Sequence, residues 1–170
     1  MSTNVIQLRN FLEPANTIHV QPPASHAECM ACSPGGLLGL RFWPDGANSV
    51  VASVRPRPEW QGYAGILHGG VVSTLLDAAM THCLFHHEVE AMTASLKVRF
   101  IEPTPCAGQL DLRATLSDQR RHVYLLDAEL MNHGRVLARA EARFITSANA
   151  HRPPRGEAPW AAGLTHVDRR

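Results

Sequence analysis

The sequence predicts an α+β domain in which an antiparallel sheet wraps around one long helix. A largely apolar run from residue 69 to about residue 86 has the length and composition of a buried helix. Two β-type segments precede this run and four follow it, with turn residues between them. No segment repeats, so the 170 residues are expected to hold a single folded domain.

The predicted strands are short segments bounded by glycine, proline or asparagine. They cover residues 37–43, 49–55, 91–101, 108–117, 123–132 and 136–146. Turns are expected at Pro44-Asp45-Gly46 and at His133-Gly134. In the segment 91–101, simple alternation places Leu96 on one side of the strand and Thr93 on the other, together with Ser95.

The organisation along the chain follows from composition. Residues 1–28 are mixed and polar, with a Pro-Pro pair, and are predicted to form an N-terminal arm. The folded domain is expected to span 29–147. Residues 148–170 contain proline, arginine and glycine without an apolar period, so we expect a disordered tail.

Composition and charge argue against several classes of function. The net charge of +1 gives no electrostatic basis for binding nucleic acid or a membrane surface. No apolar run reaches the length of about 18 residues that a transmembrane helix needs. The first residues lack the basic and apolar segments of a secretory signal, so the expected location is the cytoplasm.

The most informative segment is residues 68–80, HGGVVSTLLDAAM, where a carboxylate interrupts an apolar helix. A buried carboxylate such as Asp77 is costly unless it is paired or used in chemistry. The helix begins at Gly69 and Gly70, whose amides should be uncovered by side chains and suit a polarised carbonyl oxygen. One helix therefore offers an oxyanion-type donor and a candidate base or nucleophile.

Helix geometry separates these two groups. The seven residues from Gly70 to Asp77 span about 10 Å, so one carbonyl carbon cannot touch both. The two positions nevertheless share a helix face with Thr74 and Thr81, a small and polar stripe. Two such helices packed antiparallel across a two-fold axis would bring Gly70 of one copy towards Asp77 of the other. The chemistry, if present, requires a homodimer.

These residues carry a family resemblance. The segment 60–67, WQGYAGIL, leads into His68-Gly69-Gly70, and Asp77 follows nine residues after the histidine. A second block, residues 92–103, reads MTASLKVRFIEP. Together they resemble the hot-dog-fold acyl-CoA thioesterases of the phenylacetate-pathway (PaaI-like) type, over roughly residues 29–145. The resemblance implies a hot-dog fold, an acyl-CoA substrate and a homodimer that can pair into a tetramer.

The resemblance also implies roles for individual residues. The turn of His68, Gly69 and Gly70 would polarise the thioester carbonyl through a backbone amide. Asp77 of the partner subunit would act as nucleophile or general base, and Thr93 would position water. Many members have an asparagine six residues before the histidine, where this chain has Gly62, so Gln61 is a candidate for the missing polar contact with substrate.

Each of these roles has a structural alternative. Asp77 could be a satisfied carboxylate that binds a partner's backbone. Thr93 could be an ordinary strand threonine, and His68 could serve only to shape the turn, which we consider its main role. Arg120 and Arg121 could contact the phosphates of CoA, since guanidinium groups bind phosphate in a forked geometry, or could form a solvated turn.

Cysteine and histidine spacing raises the question of a metal. Cys29 and Cys32, preceded by His26, resemble half of a zinc site, but the sequence shows no second close pair. His82 and His86 lie one helical turn apart near the end of the predicted helix, where the helix dipole favours histidines. We therefore predict free thiols, no metal and no cofactor.

The sequence as a whole predicts a cytoplasmic acyl-CoA thioesterase that acts as a homo-oligomer. A non-catalytic acyl-CoA-binding hot-dog protein is the alternative. A hydratase would need a histidine and an acid converging on one acyl chain, and the spacing of His68 and Asp77 opposes that. Serine chemistry is not supported, because Ser73 lacks the flanking glycines of a nucleophile elbow.

Overall fold

A computed structural model describes residues 18–146 of the chain. One α-helix, α1 (Gly69–His86), and eight strands form the domain. The strands are β1 (Trp43–Pro44), β2 (Ser49–Val54), β3 (Gln61–Tyr63), β4 (Ile66–Leu67), β5 (Met92–Phe100), β6 (Leu110–Arg120), β7 (Val123–Asn132) and β8 (Arg135–Ile145). Single 3-10 turns occupy Ala24–His26 and Pro58–Trp60.

The main sheet has six strands in the order β1-β2-β6-β7-β8-β5, and all pairs are antiparallel. A separate hairpin of β3 and β4 leads directly into the helix. The β7–β8 turn uses His133 and Gly134, whose φ angles of 46° and 79° are typical of a two-residue hairpin turn. This arrangement confirms the predicted α+β architecture.

The core lies between α1 and the inner face of the sheet. Strand β8 alternates buried alanines with exposed charged residues, and these small side chains let the helix approach closely. Leu75, Leu76 and Met80 of the helix are fully buried. The sheet and the segment before it contribute further fully buried side chains, among them Phe42, Leu112, Leu126, Leu130 and Phe144.

Most predicted elements are confirmed within a few residues, and α1 has the predicted bounds. The first predicted strand, 37–43, is wrong except for its end, because only Trp43–Pro44 pairs with β2. Leu38, Leu40 and Phe42 alternate towards the core as in a strand, but Gly39 at φ +55° breaks the extended backbone. The hairpin of β3 and β4 was not predicted.

Strand β5 forms one edge of the six-stranded sheet, and its side chains are mostly exposed. Its pairing with β8 shifts register between Thr93 and Ser95, so Ala94 is an extra, bulged residue. Thr93 is paired with the buried Phe144, whereas Ser95 is paired with Arg143 on the outer face. The prediction that Thr93 and Ser95 share a side is therefore wrong, and the bulge turns Thr93 towards the helix.

The predicted arm and tail lie largely or wholly outside the described residues, and their predicted bounds remain predictions. In the range 18–146, no helix combines the length and apolarity needed to cross a membrane.

Candidate active site

The N-terminus of α1 forms the first part of the site. His68 is the N-cap, and the amide of Gly70 donates a hydrogen bond to its Nδ1 at 2.9 Å. The prediction that the first amides are uncovered is therefore wrong at Gly70, whose N–H is occupied by the capping ring. Among the hydrogen bonds of the described residues, the amides of Gly69 and Val71 have no protein acceptor. These two groups are available to a ligand oxygen.

Two residues of the preceding hairpin hold this terminus in place. The side chain of Gln61 donates to the carbonyl of Pro58 at 2.7 Å and accepts from the amide of Gly65. Both ends of its amide group are thus used by backbone in the single chain, and a contact of Gln61 with substrate stays a prediction. A Cβ at Gly62 would lie 3.2 Å from the Cα of His68, so the loop and the capping residue are in close contact.

A cleft of about 530 Å³ opens beside this terminus. Its polar components include the backbone at His68 and Gly69, and Phe100 of β5 covers one side. A Cβ at Gly69 would lie only 3.4 Å from the Phe100 ring. The other lining residues are mainly apolar and include Tyr63, Ile66, Val72, Ile101 and Pro103.

Asp77 and Thr93 form the second part of the site. The hydroxyl of Thr93 donates to Oδ1 of Asp77 at 2.8 Å. The inward turn of the strand at the Ala94 bulge makes this contact possible. Asp77 is half-buried in the single chain, so the expectation of a fully buried carboxylate is wrong, and its Oδ2 has no partner among the described residues.

This pair lies in a second cleft, of about 460 Å³, which Thr81, Met92 and Glu90 also line. Glu90 accepts a hydrogen bond from Ser25 at 2.6 Å. Neither Gly69 nor His68 lines this second cleft, and Asp77 does not line the first. One chain therefore brings Asp77 and Thr93 together but does not bring them to the helix N-terminus.

Arg120 and Arg121 lie in the β6–β7 turn, where Arg121 has a φ of +55°. Arg120 is paired with Asp118 at 2.9 Å. The strand pairing from β6 across β7 and β8 to β5 places Arg120 level with Met92. The β6–β7 turn therefore lies at the same end of the sheet as the cleft that contains Asp77. Three strand spacings, about 14 Å, separate the two positions. The structure does not bring these arginines into either cleft.

Sequence reasoning missed a group of residues behind the Asp77 cleft. His26 lines this cleft, and its Nε2 lies 3.6 Å from the Sγ of Cys32. His82 of the helix lies beside them. Burial lowers the pKa of His82 to about 4 and also lowers the pKa of His26, whereas Asp77 opposes the shift at His26. The sequence spacing grouped His26 with Cys29 and Cys32, but only the fold brings His82 of α1 beside them.

Comparison with known proteins agrees with this fold. The family model of the Thioesterase superfamily matches residues 64–139. A thioesterase superfamily protein of known structure is 26% identical over 63% of this chain, with a TM-score of 0.61, and this chain spans only 53% of that protein. The phenylacetic acid degradation-related protein of Ralstonia eutropha JMP134 is 23% identical, with a TM-score of 0.61, over 74% of this chain and 92% of its own.

A third structure is a hypothetical thioesterase of Streptococcus pneumoniae with coenzyme A. It is 19% identical to this chain, with a TM-score of 0.56, over 58% of this chain and 80% of its own. Residues 64–139 thus resemble the thioesterase superfamily, and the fold is that of hot-dog proteins such as the phenylacetic acid degradation-related protein. The predicted family resemblance is confirmed.

Proposed function

We propose that this protein is an acyl-CoA thioesterase that hydrolyses a thioester to a carboxylic acid and free CoA. The observation that carries the proposal is the division of the chain into two half-sites. One cleft holds the carboxylate of Asp77, which a hydrogen bond from Thr93 orients. The second oxygen of this carboxylate has no partner among the described residues. The other cleft holds an open amide at Gly69 beside an apolar wall. Thioester hydrolysis needs both kinds of group at one carbonyl.

Two copies of the chain would unite these half-sites. Strand β5 is an unpaired edge that runs from the Asp77 cleft at Met92 to the helix N-terminal cleft at Phe100. Met92 and Phe100 are 67% and 54% exposed, which leaves apolar surface at both ends of an open edge. Antiparallel apposition of two copies along this edge would set each Asp77 cleft against the partner's helix N-terminus.

In such a site the chemistry would proceed through a tetrahedral intermediate. The Gly69 amide would donate to the thioester oxygen, and the positive end of the helix dipole would favour the charge that develops there. As a general base, Asp77 would take a proton from water, the hydroxide would attack the carbonyl carbon, and the C–S bond would break. The proton would then pass to the departing thiolate. As a nucleophile, Asp77 would instead attack the carbonyl carbon, the C–S bond would break to release the CoA thiolate, which takes a proton, and water would hydrolyse the acyl anhydride to the acid and free Asp77.

The Thr93 hydroxyl serves either route, because it fixes one carboxylate oxygen and leaves Oδ2 without a partner among the described residues. Two further structures of the Streptococcus pneumoniae protein carry alanine in place of a threonine and of an aspartate. These two positions are 16 residues apart, the same separation as Asp77 and Thr93. The presence of coenzyme A with that protein supports a CoA thioester as the substrate class.

The remaining predicted contacts follow from this arrangement. The apolar lining of the helix N-terminal cleft suits the acyl group. We propose that the exposed β6–β7 turn, through Arg121, contacts phosphate groups of CoA, since Arg120 is already paired with Asp118. The cytoplasm, where acyl-CoA is found, remains the proposed location.

Release of free thiol from a panel of acyl-CoA substrates tests the proposal. The wild-type protein should turn over at least one thioester, and Asp77→Asn should lower kcat by about 10²-fold or more. Glu90→Gln is the matched control, because Glu90 lies in the same cleft but accepts from Ser25. Acyl-CoA binding by calorimetry without turnover of any thioester would instead indicate the non-catalytic binding protein.

A further inference from the structure

A second cluster of reactive side chains lies behind the Asp77 cleft. Ligand atoms of His26, Cys32 and His82 all lie within 4.8 Å of one another. The Sγ of Cys29 is 3.5 Å from the Sγ of Cys32, and the Nε2 of His26 is 3.6 Å from that same sulfur. One sulfur and two imidazoles thus converge from the N-terminal turn and from α1, and the sulfur of Cys29 lies next to that of Cys32.

His82 makes this cluster more than a chance grouping. It is only 2% exposed, and neither ring nitrogen has a hydrogen-bond partner among the described residues. A buried polar group without a partner costs free energy comparable to a lost hydrogen bond. The ring of His82 stacks on Phe42, with ring centroids 4.5 Å apart, which explains the position of the ring. The stacking does not give either ring nitrogen a hydrogen-bond partner.

The segment that carries the other three residues is tightly formed. The amide of Cys29 donates to His26, and the amide of Ser33 donates back to Cys29 at 3.0 Å. Gly36 closes the turn, and a Cβ there would lie 2.7 Å from the carbonyl oxygen of Met30. The two cysteines are therefore held on one compact turn above the helix, with their sulfurs 3.5 Å apart.

We propose that His26, Cys29, Cys32 and His82 bind one structural Zn²⁺ ion. Tetrahedral zinc, with Zn–S near 2.3 Å and Zn–N near 2.0 Å, separates two sulfurs by about 3.8 Å and a sulfur from a nitrogen by about 3.5 Å. The measured separations of 3.5 Å and 3.6 Å match these values. The other separations among His26, Cys32 and His82 are at most 4.8 Å. Cys29, which lies outside that group and touches only Cys32, must rotate its thiol towards the two imidazoles to complete four ligands.

The charge of the proposed site is balanced. Two thiolates and two neutral imidazoles around a divalent cation sum to zero, so the buried position is acceptable electrostatically. The ion would fasten the turn before β1 to the helix about one turn from its C-terminus. Because His26 lines the cleft of Asp77, the ion would also fix one wall of that cleft. The sequence-based expectation of no metal rested on the absence of a second close pair, whereas in the fold the distant His82 lies beside His26 and Cys32.

Metal content tests the proposal without any assay of thioester turnover. Protein is expressed with zinc, exchanged into metal-free buffer, and its zinc content is measured by inductively coupled plasma mass spectrometry. It should retain about one zinc ion per chain. His82→Phe, which keeps an aromatic ring on Phe42, and Cys32→Ser should lower this content at least about tenfold. His86→Asn and Cys106→Ser are matched controls outside the cluster and should retain the zinc.

Cobalt reports the ligand set directly. Reconstitution of the reduced wild-type protein with Co²⁺ should give a thiolate-to-cobalt charge-transfer band, and Cys29→Ser should weaken that band by about half. The melting temperature of the wild type should fall in a chelator, whereas that of His82→Phe should not respond.

Folded, reduced wild-type protein that holds less than about 0.1 zinc per chain and gives no cobalt band would overturn the proposal. A band unchanged in His82→Phe would overturn it as well. The proposal would also be overturned if Cys29 and Cys32 formed a disulfide and the reduced protein then bound neither zinc nor cobalt.

Discussion

Replacement of Thr93 by valine isolates the hydroxyl that orients the proposed catalytic carboxylate. Valine keeps the branched shape and the β-propensity of threonine, so strand β5 and its bulge should persist. The change removes one hydrogen bond of 2.8 Å to Asp77. A hydrogen bond to a charged group is worth about 1.5–3 kcal/mol, which corresponds to a factor of about 10–150 in rate.

Solvent reaches Asp77 in the single chain, so the lower part of this range applies, and kcat/KM for thiol release should fall by about tenfold. Thr93→Ser, which keeps the donor, should stay within about threefold of the wild type. Thr115→Val is the matched control, because it removes a hydroxyl bonded to Ser49 at 2.8 Å, away from both clefts. A Thr93→Val variant with wild-type kcat/KM would refute the positioning role of this hydroxyl.

Three further predictions test the site and the core. Asp77→Asn should leave the elution volume on gel filtration unchanged, while the rate of thiol release falls by about 10²-fold or more. If the variant and the wild type were equally active, Asp77 would be removed from the mechanism. His68→Ala should lower the free energy of unfolding in urea by about 1 kcal/mol, because the cap on the Gly70 amide is lost. His68→Asn should recover most of that stability, and a failure to do so would contradict the capping role. Leu75→Ala should cost about 2–5 kcal/mol by the same measurement, since this side chain is fully buried beneath the sheet, and a loss below about 1 kcal/mol would contradict its place in the core.

The sequence predicted the helix and most strands because their patterns are local. The apolar run of α1 and the alternation along β7 and β8 are visible without any partner. The motif of residues 68–70 with Asp77 also identified the correct fold, since its spacing lies within one continuous element. Contacts within one helix are the ones that sequence periodicity reports.

The details that sequence reasoning got wrong depend on single backbone positions or on distant contacts. The bulge at Ala94 inverts the side that Thr93 faces, and alternation cannot reveal an extra residue. The hydrogen bond from the Gly70 amide to His68 depends on the side-chain rotamer of the cap. The group of His26, Cys32 and His82 includes one member, His82, that is about 50 residues from the other two, so the sequence could not show that it joins them.

The central claim is that each active site combines the helix N-terminus of one copy with Asp77 of another. Subunit exchange between two inactive variants tests it most directly. Gly69→Val should block the first half-site, because its side chain would meet Phe100, while the His68 cap on Gly70 stays intact. Asp77→Asn disables the second half-site. Circular dichroism and gel filtration must first show that both variants fold and associate.

After full exchange of an equal mixture, half of the dimers are mixed, and each mixed dimer has one site with no lesion. Activity should therefore rise to about one quarter of the wild-type value. A mixture of Asp77→Asn with Asp77→Ala, whose lesions fall in the same half-site, should show no such recovery. Recovery is expected only in the first mixture, and well-exchanged dimers that stay inactive there would contradict a site shared between two copies.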